Sequence, residues 1–242
     1  MEGVILTALF VGGSTIFGGA VGLLFKRITK SFSDAVLSFA AGVMLAAAIL
    51  GLILPSIEGG GVVSCVLGIF AGAFCVNILD FSVPIISKRQ KNTREERVRR
   101  VFLFVMAIAL HNLPEGIAAG VGLGTGDVHN GILIATAIAL QNVPEGIIVT
   151  VAMRGVGAKR ICAFVIAAIT GIIEIFGTVV GYFAVSISST LLPFLLALAG
   201  GTMLYVVSEE MIPETHSGEG GKLSTYFLLI GFALMLLFDA LV

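Results

Sequence analysis

Hydrophobic residues along this chain gather into eight long runs, roughly Val4–Phe25, Ala35–Leu54, Val62–Ile86, Val101–Val121, Gly131–Met153, Ile161–Val185, Leu191–Ile212 and Ser224–Val242. Each has about the ~20 residues that one helical crossing of a hydrocarbon core requires. The breaks between them are short and polar, such as Lys26-Arg27-Ile28-Thr29-Lys30, Glu58-Gly59-Gly60-Gly61 and Gly124-Thr125-Gly126-Asp127. Connections this short make consecutive helices antiparallel. The boundary between the seventh and eighth runs falls in the polar, Gly-rich stretch from Pro213 to Lys222.

Composition turns these runs into membrane spans. A chain of 242 residues with 57% hydrophobic and 12% charged residues has too little charge to cover a soluble surface. Its mean hydropathy of +1.10 makes a bilayer the expected solvent. The 31 glycines suit helices that approach closely, and the absence of Trp leaves Tyr, Phe, Lys and Arg to set helix depth. Cys65, Cys75 and Cys162 sit inside apolar runs without C-x-x-C spacing and read as small packing residues. The start Met1-Glu2 has no basic region before a run of full span length, which predicts a first transmembrane helix rather than a cleaved signal peptide. No basic, aromatic-interleaved stretch suggests nucleic acid.

Charge then orients the spans. Lys26, Arg27 and Lys30 follow the first run, seven basic residues lie between Lys88 and Arg100, Arg154, Lys159 and Arg160 follow the fifth, and Lys222 follows the seventh. All 14 Lys and Arg thus fall on one side, which the positive-inside rule makes cytoplasmic, with both termini outside. The polar segment at about 88–98 reads as a solvated cytoplasmic loop with an option of contact to anionic headgroups. It is too short for a separate domain, so residues 1–242 are expected to form one transmembrane domain.

An internal repeat carries the chemistry. Ile108-Ala109-Leu110-His111-Asn112-Leu113-Pro114-Glu115-Gly116-Ile117 recurs as Ile138-Ala139-Leu140-Gln141-Asn142-Val143-Pro144-Glu145-Gly146-Ile147. The copies lie on adjacent antiparallel spans, so an approximate two-fold axis in the membrane plane relates them, an arrangement that recurs in secondary transporters. His111 and Glu115 share a helix face at a spacing of four, as do Gln141 and Glu145. Pro114 and Pro144 free the carbonyls of Leu110 and Leu140 one turn earlier. In lipid such a carbonyl needs a partner, and a cation or a watery path is one.

Glu115, Glu145 and Glu174 all fall near the middle of their spans, where an acid costs on the order of 2.5–3.5 kcal/mol on insertion scales. No mid-span Lys or Arg neutralises them. A divalent cation does, and one imidazole with carboxylate and amide oxygens suits zinc, and also manganese, iron(II) or cadmium. The plainer reading, Pro kinks with protonated acids bonded to carbonyls, accounts for any one residue better than for the whole set.

With these residues the chain resembles the ZIP family of metal transporters over nearly its whole length. The strongest motif is His-Asn-x-Pro-Glu-Gly, here His111 to Gly116, with its counterpart Gln141 to Gly146. The Gln in first place resembles the prokaryotic GufA-type branch, in which the second place can be Asp where this chain has Asn142. The resemblance implies an all-α integral membrane fold of eight transmembrane helices in an inverted 3+2+3 repeat. It implies a primary site of His111, Glu115, Gln141, Glu145 and Glu174, and an adjacent second one lined by Asn112, Glu115, Asn142 and Glu145. Ala40-Ala41-Gly42-Val43-Met44-Leu45 also matches and suggests Met44 as a soft ligand or a lining residue, with core filler as the alternative. Glu58 and Asp239 resemble acids at the metal entrance. Ser208-Glu209-Glu210-Met211-Ile212-Pro213-Glu214-Thr215-His216 resembles the cytoplasmic exit, with Glu209, Glu210, Glu214 and His216 as potential ligands, more than a helix end needs. The long His-rich loop of many members is missing, so metal sensing by it is not expected.

The expectation is therefore a plasma (inner) membrane protein that carries zinc as cargo, with no cofactor, into the cytoplasm by alternating access, and that is not an enzyme. Gly18-x-x-x-Gly22, Gly68-x-x-x-Gly72 and Gly177-x-x-x-Gly181 fit moving surfaces, static packing or a homodimer seam alike. Two other readings remain. An intramembrane zinc hydrolase would need an H-E-x-x-H-like pair, whereas only His111 lies in a predicted span. A proton-coupled carrier for an organic substrate would explain mid-membrane acids but not imidazole and amides at matched repeat positions.

Overall fold

The computed structural model describes residues 2–25, 29–81, 94–187, 191–216 and 221–241, and leaves out some side chains within the helices, His111 among them. Among these residues the chain is all helical: α1 (Glu2–Gly22), α2 (Lys30–Ala47), α3 (Leu54–Phe81), α4 (Arg94–Gly124), α5 (Val128–Gly155), α6 (Arg160–Ile187), α7 (Leu192–Val206), α8 (Ile212–His216) and α9 (Gly221–Leu241). Among the described residues six segments are long and apolar enough to cross a membrane. One of them runs 49 residues, from Lys30 to Ile78, and contains the break at Gly61. This is an all-α, multi-pass membrane protein.

Two π-helical segments interrupt otherwise continuous helices. Ala48–Ile53 joins α2 to α3, and Val207–Met211 joins α7 to α8. Each ends just before a proline, Pro55 or Pro213. Proline has no N–H and its ring crowds the carbonyl four residues back, so the preceding turn widens to five-residue bonds. The N–H of Leu54 accordingly bonds the carbonyl of Ile49, and that of Ile212 bonds the carbonyl of Val207. Pro114 and Pro144, by contrast, lie inside uninterrupted α4 and α5.

Gly61 turns the chain with φ +74, a left-handed backbone that favours glycine. Pro193 packs against Gly60 just before this turn, and the Ser56 hydroxyl donates to the Pro193 carbonyl at 2.7 Å. Two sequence expectations change here. α4 begins at Arg94, seven residues before the predicted start of its span, because Arg and Glu are good helix formers. The remainder of the predicted loop, 88–93, and the basic residues Lys26 and Arg27 lie outside the described residues. Among the cysteines only Cys65 is buried, whereas Cys75 and Cys162 are exposed on the outer faces of their helices.

The main helix pairs are α4 with α6, α1 with α5, α3 with α7 and α2 with α9. Reciprocal glycines make several of these contacts backbone on backbone: Gly72 with Gly201 between α3 and α7, and Gly42 with Gly231 between α2 and α9. Gly18 and Gly22 press on α5, Gly68 and Gly72 on α7, and Gly177 and Gly181 on α4, so all three glycine pairs serve contacts within the chain. The result is inside-out relative to a soluble protein. Large apolar side chains such as Leu6, Phe17, Phe70 and Phe176 are exposed, while Asn112, Glu115, Gln141, Asn142 and Glu174 are buried.

Candidate metal site

The two motif copies come together between α4, α5, α6 and α1. Gly116 lies against the backbone carbonyl of Glu174 on α6, and Gly146 lies against that of Thr15 on α1, each so close that a Cβ would collide. These contacts set the depth of the acids that precede the glycines. Glu115 is 2% exposed, Glu145 6% and Glu174 0%, so all three carboxylates lie in the interior. Glu145 and Glu174 both act electrostatically on Glu115, and the Gln141 amide lies beside it. His111 sits on α4 one turn before Glu115, and its side chain is outside the described residues.

The polar atoms here are unusually short of partners. Nine buried side-chain N or O atoms among the described residues make no hydrogen bond of normal geometry, and seven belong to the motifs. They are both amide atoms of Asn112, both oxygens of Glu115, both amide atoms of Gln141, and Oδ1 of Asn142. Leaving a buried polar group unpaired costs about 1–3 kcal/mol, and more when it is charged. A cluster of that size would oppose folding by as much as a typical protein's whole stability, about 5–15 kcal/mol. The site is therefore built for something that supplies partners. Among the described side chains no three His, Cys, Asp or Glu groups form a ligand shell by themselves.

Glu174 is the exception, because its carboxylate is held. Thr15 Oγ1 donates to Oε2 at 2.5 Å, and Asn142 Nδ2 donates to Oε1 at 2.6 Å. The same Nδ2 donates to the Val11 carbonyl at 3.1 Å. Both partners of that nitrogen are acceptors, so the amide orientation is dictated by chemistry. Met44 is fully buried on α2 within the main apolar core.

A cavity of about 360 Å³ leads away from Glu115 and Glu145. Its far lining includes Glu209, Glu210 and Met211 of the second π segment, with Glu214 on α8. The sequence-predicted exit acids and two site acids thus share one cavity. His216 stands apart from this lining: its Nδ1 is 2.9 Å from the Ile212 carbonyl and its Nε2 3.1 Å from Thr225 Oγ1. Lys30 bridges the cavity acid Glu214 (3.7 Å) and Asp34 (3.1 Å).

At the opposite end, Asp239 on α9 meets His129 Nε2 at 3.5 Å, at the start of α5. Glu58 is exposed three residues before Gly61. The pair formed is therefore Asp239 with His129, a residue that the sequence reading did not single out. Thr15, Asp34 and Lys30 were likewise missed. The signal for Thr15 was present, since Ser14-Thr15 is a hydroxyl pair in the middle of the first apolar run.

Comparison with known proteins places the chain in a family. The family model for ZIP zinc transporters matches residues 88–239. Zinc transporter ZIPB of Bordetella bronchiseptica is 39% identical over 237 residues, covering 93% of this chain and 77% of that protein. Zinc transporter GufA of Myxococcus xanthus is 46% identical over 137 residues, covering 57% of this chain and 54% of its own length. Zinc transporter ZupT of Corynebacterium glutamicum is 32% identical over 248 residues, 94% of each chain. Both motif copies, Glu174 and the cavity acids from Glu209 to Glu214 fall inside the matched segment, and the chain belongs to the ZIP zinc transporter family.

Proposed function

We propose that this protein carries a divalent transition metal, zinc foremost, through the membrane and releases it into the cytoplasm. It is a transporter and not an enzyme, as its named relatives are. The observation that carries the reading is the cluster of seven unpaired polar atoms on the repeated motifs, one member of which, Glu115, lines with Glu145 a cavity shared with Glu209, Glu210 and Glu214. Three buried acids with amide oxygens need a cation more than they need water, because water cannot offset their mutual repulsion. His111, Glu115, Gln141, Glu145 and Glu174 form the primary site in this reading, with imidazole favouring zinc over harder ions and with iron(II), manganese and cadmium as lesser cargo. Asn112 and Asn142 line the adjacent position, and Met44 a soft wall.

The fold is read as eight spans in an inverted 3+2+3 arrangement. A continuous helix of 49 residues would measure about 74 Å, more than twice a hydrocarbon core of ~30 Å, so the Lys30–Ile78 run is two spans parted at Gly61. α4, at 31 residues, supplies the remaining one. The pairing of α4 with α6 and α5 with α1, and of α3 with α7 and α9 with α2, supports the inverted repeat. So do the two π segments, each before a proline. The distribution of basic residues supports a cytoplasmic end at the cavity acids and both termini outside, in the plasma membrane. Metal enters near Glu58 and Asp239, binds between α4, α5 and α6, and leaves past Glu209, Glu210 and Glu214, with His216 at the rim, as the chain alternates its access.

Radiolabelled zinc uptake into proteoliposomes tests this. Glu115→Ala and His111→Ala should each lower uptake at least ~100-fold, the cost of roughly 2.7 kcal/mol of lost ligand interaction. Uptake at the unmutated rate would remove these residues from the site. Flux of an organic solute with no zinc binding at micromolar concentration would favour a proton-coupled carrier instead.

A further inference from the structure

Glu174 is gripped from two helices. Thr15 on α1 and Asn142 on α5 each donate to one of its oxygens, and all three side chains are fully buried. Thr15 behaves unlike the other buried threonines described. Four of the other five, Thr170, Thr178, Thr202 and Thr215, turn their hydroxyls back to carbonyls three or four residues earlier in their own helices, and Thr150 bonds nothing. Thr15 instead reaches across to a side chain 159 residues away. Such back-bonding is the default for a hydroxyl in a helix, so its replacement by a bond across helices marks a specific use.

The register of α1 on α5 holds that hydroxyl in place. Val11 and Thr15 are one turn apart on α1, as Asn142 and Gly146 are on α5. Asn142 bonds the Val11 carbonyl, and Gly146 rests on the Thr15 carbonyl. The β-branched Thr side chain has few rotamers in a helix, which limits the directions its hydroxyl can take. Each Glu174 oxygen accepts one bond here and keeps another lone pair for a ligand.

We propose that Thr15 is a positioning residue of the metal site: its hydroxyl fixes the direction of the Glu174 carboxylate and so makes α1 part of the site's outer shell. This rests on the reading of Glu174 as a metal ligand. Groups that hold a ligating carboxylate are commonly worth about 10–100-fold in metal affinity. Thr15→Val keeps the shape and removes the donor, and Thr15→Ser keeps the donor.

The test measures zinc binding by calorimetry on the purified full chain and zinc uptake in proteoliposomes. Thr15→Val should raise the zinc Kd about 10–100-fold and raise the uptake KM with a smaller change in kcat. Thr15→Ser should bind within about threefold of the unmutated protein, a difference of about 0.65 kcal/mol. If the Val variant fails to fold, Thr15→Ala removes the same donor without adding a methyl beside Glu174. Donor-less variants that bind zinc as tightly as the unmutated chain, with or without a lower melting temperature, overturn the proposal. An unmutated chain that neither binds nor moves zinc overturns the metal reading itself, and this inference with it.

Discussion

The two motif copies are nearly identical in sequence and unlike in their surroundings. Gly116 on α4 rests on Glu174 of α6, an acid, whereas Gly146 on α5 rests on Thr15 of α1, a hydroxyl. Asn112 leaves both amide atoms unpaired, while Asn142 spends its N–H groups on Glu174 and on the Val11 carbonyl. The repeat sets two helices in matched geometry, and their neighbours then make the copies inequivalent. In the α4 copy every amide and carboxylate atom of Asn112 and Glu115 is unpaired, whereas in the α5 copy Gln141 and Oδ1 of Asn142 are unpaired and Nδ2 of Asn142 is bonded. The α5 copy ties α1 to α6 through Glu174.

The largest effect is expected where the copies are most alike. A Cβ at position 116 or 146 would meet a backbone oxygen, which no rotamer change can move aside. Gly116→Ala and Gly146→Ala should each force two helices apart, at about 1–3 kcal/mol or more. At ~2–4 °C per kcal/mol for a chain of this size, melting temperatures in detergent should fall by several degrees to over ten, and uptake with them. Equal losses would sharpen the equivalence of the copies as packing devices. A loss confined to one would break it.

This contrast also divides what the sequence reveals from what it conceals. The spans, the repeat and the three interior acids are legible because each is a local signal, an apolar run, a thirty-residue echo, or a charge where charge is costly. The first span and last span come out close to their predicted limits, with α1 at Glu2–Gly22 and α9 at Gly221–Leu241. The π segments are half legible, since Pro55 and Pro213 announce a disturbance but not whether the helix bends, breaks or widens. Thr15 is half legible too: the Ser14-Thr15 pair stands out in its apolar run, but nothing local says that the Thr15 hydroxyl turns from its own helix to Glu174. The Asp239–His129 contact and the bridge from Lys30 to Glu214 are hidden for the same reason: they join segments far apart in sequence. The ring contact of His216 with Thr225 is hidden likewise, since the string around Glu209 to His216 does not show which neighbour its nitrogens meet.

The second prediction acts on the asparagines. Asn142→Asp removes the donor to Val11 and Glu174 and sets a new carboxylate beside Glu174. Asn112→Asp adds charge but breaks no bond, since neither amide atom is paired. Without metal, Asn142→Asp should therefore lower stability by about 1–3 kcal/mol more than Asn112→Asp does. Zinc should recover more of that loss in the Asn142→Asp variant, because an ion between the new carboxylate and Glu174 offsets their repulsion, and a ligand at free concentration c that binds the folded state stabilises it by RT ln(1 + c/Kd). Thermal unfolding with and without zinc measures both quantities. Identical melting curves for the two variants would mean that the bonds of Asn142 do not hold the copies apart in role.

The smallest expected effect comes from making the copies alike at their first position. Gln141→His gives α5 the same first motif residue as α4, replacing an amide oxygen by an imidazole nitrogen, a better donor for zinc. No hydrogen bond of normal geometry is lost, because both amide atoms of Gln141 lack one. Zinc should bind a few-fold more tightly, on the order of 1 kcal/mol, with manganese gaining less because it prefers oxygen. Uptake at saturating zinc should stay level or fall slightly, since a tighter site releases its ion more slowly. Calorimetry with zinc and manganese, beside uptake at saturation, separates the two contributions. Weaker zinc binding would place position 141 away from the ion, and the second copy would then contribute Glu145 directly and Asn142 only through Glu174.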